Sequence, residues 1–262
     1  MLNTTEKHIR NFLKYRELIK LLVLKDIKLK YKRSFLGIIW SLLNPLFTMI
    51  ILTIVFKELF KFSVENFAAY VISGQVLFTF FSESTSLAMS SIYSNGQILK
   101  KVYIPKYIFP LSKVLFSFVN MLFSFASILL VCFLTDVPLK PALFFSLLST
   151  CYILIFSIGF GLILSSVVVV FRDLEHIYSV LLTAWMYLTP IIYPAEIIPE
   201  KYLFIVHSNP LYYFLNHFRE GLLYGHIPSM ELNLQCFCIS FVTLIIGLYV
   251  FYKRQDKFIL YI

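Results

Sequence analysis

Acidic residues are scarce in this chain, with 14 Asp and Glu against 23 Lys and Arg in 262 positions. Charged residues make up only 14% and apolar ones 59%, so no stretch is polar enough over a domain's length for a separate soluble catalytic unit. No glycine-rich loop runs into Lys-Ser or Lys-Thr, which excludes ATP binding by the usual phosphate-cradling loop. His8, His176, His207, His217 and His226 lack metal-ligand spacing, and Asp136 stands alone in a short loop. Catalysis is therefore not expected, nor a metal or cofactor held by this chain. The four cysteines make no framework. Cys132 and Cys151 lie in different apolar runs, and Cys236 and Cys238 are two apart on a helix, pointing to nearly opposite sides. Packing or lipid-facing roles are their ordinary reading. The first residues are charged and lack a cleavable apolar signal, so the first apolar run is expected to direct its own insertion.

Long apolar runs dominate what is there. Leu36–Phe56, Phe67–Leu87, Ile108–Leu134, Ala142–Phe171, Ile177–Tyr193 and Leu234–Tyr252 are each long enough to cross a ~30 Å hydrocarbon core, which takes about 20 helical residues. Seventeen of the 23 basic residues fall before the first run, in the second-to-third and fourth-to-fifth connections, and after the last run. Basic loops stay in the cytoplasm, which places both termini there. The expected fold is an all-α integral membrane protein with six transmembrane helices. The net charge of +9 is a topology signal rather than a mark of nucleic-acid binding.

Residues 1–33 form a cytoplasmic segment distinct from the membrane-spanning part, 34–262. Phe12, Tyr15, Leu18, Ile19, Leu22 and Val23 recur at helical spacing opposite Lys14, Glu17, Lys20, Lys25 and Lys28, the pattern of a helix lying in the membrane surface. Alternation over Ile27–Lys32 also fits a short strand, but no partner strand is visible elsewhere. This helix reads as a lipid anchor, as a cuff holding a cytoplasmic partner, or as both. Within the runs, Pro45 removes a backbone hydrogen bond, for which Asn44 is at hand, and Trp40 suits an interfacial anchor. Gly159 and Gly161 allow close helix approach. Glu83 is an acid at membrane depth, read either as a structural hydrogen-bonding group or as part of a path. The 17 Tyr and 28 Phe exceed what packing asks, and their flat faces suit sugar rings as well as an interface belt.

Two connections are out of the ordinary. Asn95–Lys106, NGQILKKVYIPK, is too short for a domain and too patterned for a linker. Between about 190 and 233, Pro194, Pro199, Pro210 and Pro228 interrupt an apolar stretch that is too short and too charged for a seventh span. It is expected to form a re-entrant hairpin of two short helices on the outer side, between the last two spans.

Several blocks, in order along nearly the whole chain, together resemble the permease subunit of bacterial ABC-type polysaccharide exporters, which serve O-antigens, capsules, teichoic acids and rhamnose-rich wall glycans. They are Asp26-Ile27-Lys28-Leu29-Lys30-Tyr31-Lys32, Leu36-Gly37 with Trp40 and Asn44-Pro45, then Leu99–Pro105 with Pro110-Leu111. Phe171-Arg172-Asp173, Pro190–Pro194 with Pro199, and Asn209-Pro210 with Phe218-Arg219 follow. One departure is Ile104-Pro105, where Phe-Pro is common. The resemblance implies a homodimer of permeases in the bacterial cytoplasmic (inner) membrane, driven by two copies of a separate ATPase that holds ATP and Mg. The substrate it implies is a glycan on an undecaprenyl-pyrophosphate carrier. It also implies that Gln97, Ile98, Leu99, Lys100, Lys101, Val102 and Tyr103 couple to the ATPase. The outer hairpin would be the exit gate, with Pro190, Tyr193, Pro194, Asn209, Pro210, Arg219 and Glu220 as its candidate residues. For those last two, a static salt bridge is the competing reading. Lys28, Lys30, Lys32 and Arg33 are the densest cation set for a pyrophosphate headgroup, with attraction to anionic lipid as the alternative. A permease of the same fold exporting a drug or lipid, and a polytopic membrane glycosyl- or acyltransferase, are the other two classes open.

Overall fold

The computed structural model describes residues 4–32, 34–59, 66–138 and 140–261, and among these there is no strand. Helix α1 spans Thr4–Tyr31, so the helical reading holds over Ile27–Tyr31, and Lys32 follows in a turn. Helices then form at all six apolar runs. They are α2, Ile39–Thr53, continued as a π-turn over Ile54–Leu59; α3, Phe67–Ser94; α5, Ile108–Leu134; α6, Leu143–Val168; α7, Leu174–Leu188; and α10, Met230–Arg254. Between them lie α4, Gly96–Lys101, α8, Leu203–His207, and α9, Pro210–Arg219. A last short helix, α11, covers Phe258–Tyr261.

Four of these elements are long and apolar enough to cross a membrane: α2 with its π-turn, α5, α6 and α10. The two others differ for opposite reasons. Helix α3 has 28 residues but spends many of them on Ser, Thr, Gln75 and Glu83. Helix α7 has only 15 residues, about 22 Å at 1.5 Å per residue. Past Thr189 the chain bends through the prolines at 190, 194 and 199, with short 3-10 turns at Ala195–Ile197 and Glu200–Tyr202. Those prolines end the helix as their missing N–H groups dictate.

The packing is centred on α6, which lies against α10, α3 and α9, while α3 also packs on α5. Gly159 and Gly247 set the α6–α10 crossing. A Cβ at Gly159 would stand 2.5 Å from the Thr243 carbonyl oxygen, and one at Gly247 would overlap the Gly159 backbone. Bare backbones therefore touch, as in close helix pairs in membranes. Part of the aromatic excess is consumed here. Phe81, Phe156, Phe160, Trp185 and Phe214 pack ring against ring, some stacked and the Trp185 pairs edge-on, at centroid distances of 5.1–5.8 Å between α3, α6, α7 and α9. Helix α2, by contrast, buries only Met49.

Pro45 is satisfied by a different group than the sequence suggested. The carbonyl it frees is that of Ser41, four residues back, and the Ser124 hydroxyl on α5 donates to it at 2.8 Å. Asn44 instead lines a cavity beside it.

Candidate functional site

Three constellations stand out, one at each end of the bundle and one between. At the first end, α4 stands on a small core of its own. Leu99 is turned inward and packs with Ile92, Phe109, Leu162, Phe251 and Phe258, which come from the ends of α3, α5, α6 and α10 and from α11. Its neighbours face out: Gln97, Lys100 and Lys101 are exposed, as are Ile98, Val102 and Tyr103, the last at 95%. The seven coupling candidates thus divide into one root and six outward groups; the other buried position of α4, Gly96, precedes them. The segment Gln255–Tyr261 was missed by the sequence reading, which ended the last run at Tyr252. It folds under α4, with Phe258 1% exposed. Lys106 donates to the Gln255 carbonyl and lies 5.8 Å from the Phe258 ring centroid. Burial lowers its pKa, and Asp256 opposes the shift. The apolar run FILYI after a charged stretch was the available signal.

At the opposite end, Arg219 is the centre of the gate candidates. It is 2% exposed and clasps backbone: Nη1 donates to Pro190 O at 2.8 Å, and Nη2 to Tyr70 O at 3.0 Å and Ile191 O at 3.1 Å. Its guanidinium stacks 3.4 Å from the Tyr70 ring centroid, and Gly74 leaves the space, since a Cβ there would come within 2.9 Å of Nη2. Tyr70 in turn donates to the Tyr193 carbonyl at 3.0 Å. Asn209 caps α9 through Leu211 N at 3.0 Å, accepts from Trp185 Nε1 and donates to Thr189 Oγ1, both at 2.8 Å. Pro210 follows as the first helical residue. Pro190, Tyr193, Asn209, Pro210 and Arg219 are thus one stitched unit, next to Pro194. Glu220 is not in it. One step further round the helix, its carboxylate faces outward 3.4 Å from His226 Nδ1.

Between the ends lies a polar interior. Lys30 on α1 reaches Glu83 on α3 at 2.7 Å, so this acid has a cation from the N-terminal helix. Asp26 likewise holds Lys113 of α5 at 2.7 Å, and Tyr31 donates to Asn120 Oδ1 at 3.1 Å. The headgroup candidates are divided by helix geometry. Lys28 and Lys32, four apart, border an open apolar hollow with Lys25, Leu21 and Leu24, whereas Lys30, about 200° round from Lys28, is committed to Glu83. Arg33 lies outside the described residues. Glu83 borders two cavities. One is a half-open notch of about 380 Å³ between α2, α3 and α5. The other is an open groove of about 700 Å³ between α3 and α7, with Ser82, Ser86, Ser90, Glu175, Ser179 and Thr183 on its walls.

The Lys30–Glu83 pair is testable by charge reversal. Lys30→Met is expected to destabilise the purified protein by about 1–3 kcal/mol, less than a fully buried pair because both groups are partly exposed. Lys30→Glu with Glu83→Lys is expected to recover most of the melting temperature. A double variant no better than the singles would show that the two charges do not act on each other.

A bundle of apolar helices with a rooted surface helix at one end, a polar interior, and a stitched hairpin at the other defines a membrane transport subunit. Residues 17–223 match the ABC-2 type transporter family, and the chain belongs to it. It is 30% identical over 247 residues to the O-antigen export system permease protein RfbA of Klebsiella pneumoniae, covering 92% of this chain and 93% of that one. It is 28% identical over 265 residues to the protein of the same name from Myxococcus xanthus, at 95% and 97% coverage. With the polysialic acid transport protein KpsM of Escherichia coli it shares 23% over 242 residues, at 91% and 93%.

Proposed function

We propose that this chain is the permease of an ABC exporter that carries a lipid-carrier-linked polysaccharide, of O-antigen, capsule or related type, outward across the bacterial cytoplasmic membrane. The observation that carries the transport reading is the open α3–α7 groove. Its hydroxyls donate to their own helices, Ser82 to Thr79 O, Ser179 to His176 O and Thr183 to Ser179 O, but their acceptor positions and the carboxylates of Glu83 and Glu175 are incompatible with hydrocarbon. Such a face meets water or a second copy, which supports a homodimer around a wet path. The cargo reading is supported by relatives in O-antigen and polysialic acid systems that match over nine-tenths of the chain. Drug or lipid export and a membrane transferase have no comparable support.

In this reading all six apolar elements cross the membrane. Helix α3 faces its neighbours and the path, and α7 is continued across the membrane by the bent chain after Leu188. Both termini are cytoplasmic, α1 lies along the inner surface, and the α8–α9 hairpin re-enters from outside. Two copies of a separate ATPase, holding ATP and Mg, seat on the outward face of α4. The carrier is undecaprenyl pyrophosphate, whose phosphates meet Lys28 and Lys32 at the inner surface. Deleting the gene is expected to leave carrier-linked glycan accumulating on the cytoplasmic side and to strip it from the cell surface. Unchanged surface glycan in the deletion strain would refute the reading.

A further inference from the structure

Within the protomer α7 buries only Tyr178, and specific hydrogen bonds tie it at both ends. At the inner end its partners are on α3. Tyr93 donates to the Glu175 carboxylate, a charge-assisted bond stronger than one between neutral groups. One turn further along, the hydroxyls of Tyr178 and Thr85 meet at 2.6 Å. At the outer end the partners are on α9. Trp185 Nε1 donates to Asn209 Oδ1 and Asn209 Nδ2 to Thr189 Oγ1, both at 2.8 Å, and Arg219 holds the Pro190 and Ile191 carbonyls. The 15 residues between include no proline or glycine, so the helix has no built-in hinge and moves as one piece. The inner tie also sits at a junction. Tyr93 is in the last turn of α3, which ends at Ser94, and α4 starts at Gly96.

We propose that Tyr93 and Glu175 couple α4 to the Arg219 clasp, with α7 as a lever that pivots on its buried Tyr178. The inference rests on the export reading above, with the ATPase acting on α4, and adds the route from one end to the other. Both are positioning residues, since they act on the clasp only through α7. At 1.5 Å per residue the inner arm, Glu175 to Tyr178, is about 4.5 Å long and the outer arm, Tyr178 to Thr189, about 16 Å. A shift at Glu175 is therefore magnified about three- to fourfold where α7 ends. Arg219 is placed to feel it, because the same guanidinium holds Tyr70 O on α3 and the two carbonyls past the end of α7. Rocking α7 against α3 loads those bonds, while the bond at Tyr93 stays made.

The test reads glycan exported per ATP hydrolysed by the full complex. Tyr93→Phe removes the hydroxyl and keeps the ring in its apolar setting beside Met89 and Tyr178. The variant is expected to accumulate normally, to co-purify with the ATPase and to support ATP hydrolysis. Glycan moved per ATP should fall at least about tenfold, as the loss of one charge-assisted hydrogen bond implies. Glu175→Gln keeps an oxygen that accepts from Tyr93 and should export close to the parent. A second construction restores the tie covalently. Tyr93→Cys with Glu175→Cys, in a chain whose exposed Cys151 and Cys238 are replaced by alanine, should be uncoupled while the thiols are free. Linking the pair with 1,2-ethanediyl bismethanethiosulfonate should return coupling toward the parental value, and dithiothreitol should abolish it again. A mere brace would lower the amount of complex and its melting temperature, with export per ATP unchanged in what remains, and that result overturns the proposal. So does failure of the link to restore coupling, or loss of the ATPase with Tyr93→Phe, which would make Tyr93 part of the docking surface. Parental coupling by Tyr93→Phe, beside a deletion strain that lacks surface glycan, sinks the lever and leaves the export reading standing.

Discussion

Replacing Arg219 by lysine is expected to abolish export and to lower the melting temperature of the purified permease, although the charge is kept. The guanidinium fork reaches the carbonyls of Pro190, Tyr70 and Ile191 at once, and its plane stacks on Tyr70. An ammonium is a point donor and offers neither the fork nor the plane. Two of the carbonyls, those of Pro190 and Ile191, lie just past the end of α7, where no helical N–H follows to pair them, and the third belongs to Tyr70 on α3. Hydrogen bonds from a charged group contribute roughly 1.5–3 kcal/mol each. Losing two therefore costs about 3–6 kcal/mol, overlapping the roughly 3–5 kcal/mol seen when a buried charged contact is broken. Arg219→Met is expected to be at least as damaging, since it removes the charged donor from all three carbonyls and leaves Ile191 O without its guanidinium partner. Asn209→Ala should weaken the same stitch less, by about 1–2 kcal/mol for the lost cap. A lysine variant that melts and exports like the parent would refute the clasp. The clasp also changes what the gate candidates mean. Opening this end requires parting Arg219 from α3 or from the α7 end, whereas Glu220 and its contact with His226 lie outside that unit.

The helices were legible because their signal is hydropathy, which solvent dictates one residue at a time. Partners were not. Pro45 announces a freed carbonyl, but that Ser124 on α5 supplies the hydrogen depends on how two helices are rotated against each other. Glu83 demanded a partner by cost alone, and the partner came from α1, more than fifty positions away. Strand-like alternation at Lys28, Lys30 and Lys32 suggested one cation cluster. On a helix that spacing spreads the residues round the axis, and the helix in fact sends Lys30 inward and leaves Lys28 and Lys32 at the hollow.

Arg219 shows the limit most sharply. A charge in an apolar stretch must be compensated, yet its compensation comes largely from backbone carbonyls, which every residue carries and no motif marks. Gly74 is legible only afterwards, as the residue whose missing side chain makes room for the guanidinium. The aromatic surplus misled in a different way. Phe81, Phe156, Phe160 and Trp185 pack against one another inside the bundle, and composition cannot distinguish a packed ring from one that lines a path.

The segment around α4 yields the second large expected effect, because its residues should fail in two distinguishable ways. Leu99 is rooted among Ile92, Phe109, Phe251 and Phe258. Leu99→Asp buries an unpaired carboxylate there and is expected to cut the amount of folded permease in the membrane, an outcome that says nothing about docking. Tyr103 is 95% exposed, beside the apolar Val102 and Ile98, so Tyr103→Asp disturbs no internal packing. Should the ATPase seat on this face, it loses a central aromatic anchor worth about 2 kcal/mol or more, roughly a thirtyfold loss of affinity. Export is then expected to stop in cells whose membranes hold normal amounts of permease, with the ATPase no longer co-purifying. Phe258→Ala should give a third phenotype. It leaves a cavity under α4, costing about 3–5 kcal/mol of local packing, while the docking face keeps its residues. The ATPase should then still bind and hydrolyse ATP, with little glycan moved per ATP, because the root that carries motion from α4 into α3, α5, α6 and α10 has been loosened. Co-purification of the ATPase at parental levels with Tyr103→Asp would place the docking surface elsewhere. Full coupling with Phe258→Ala would show that the tail only fills space.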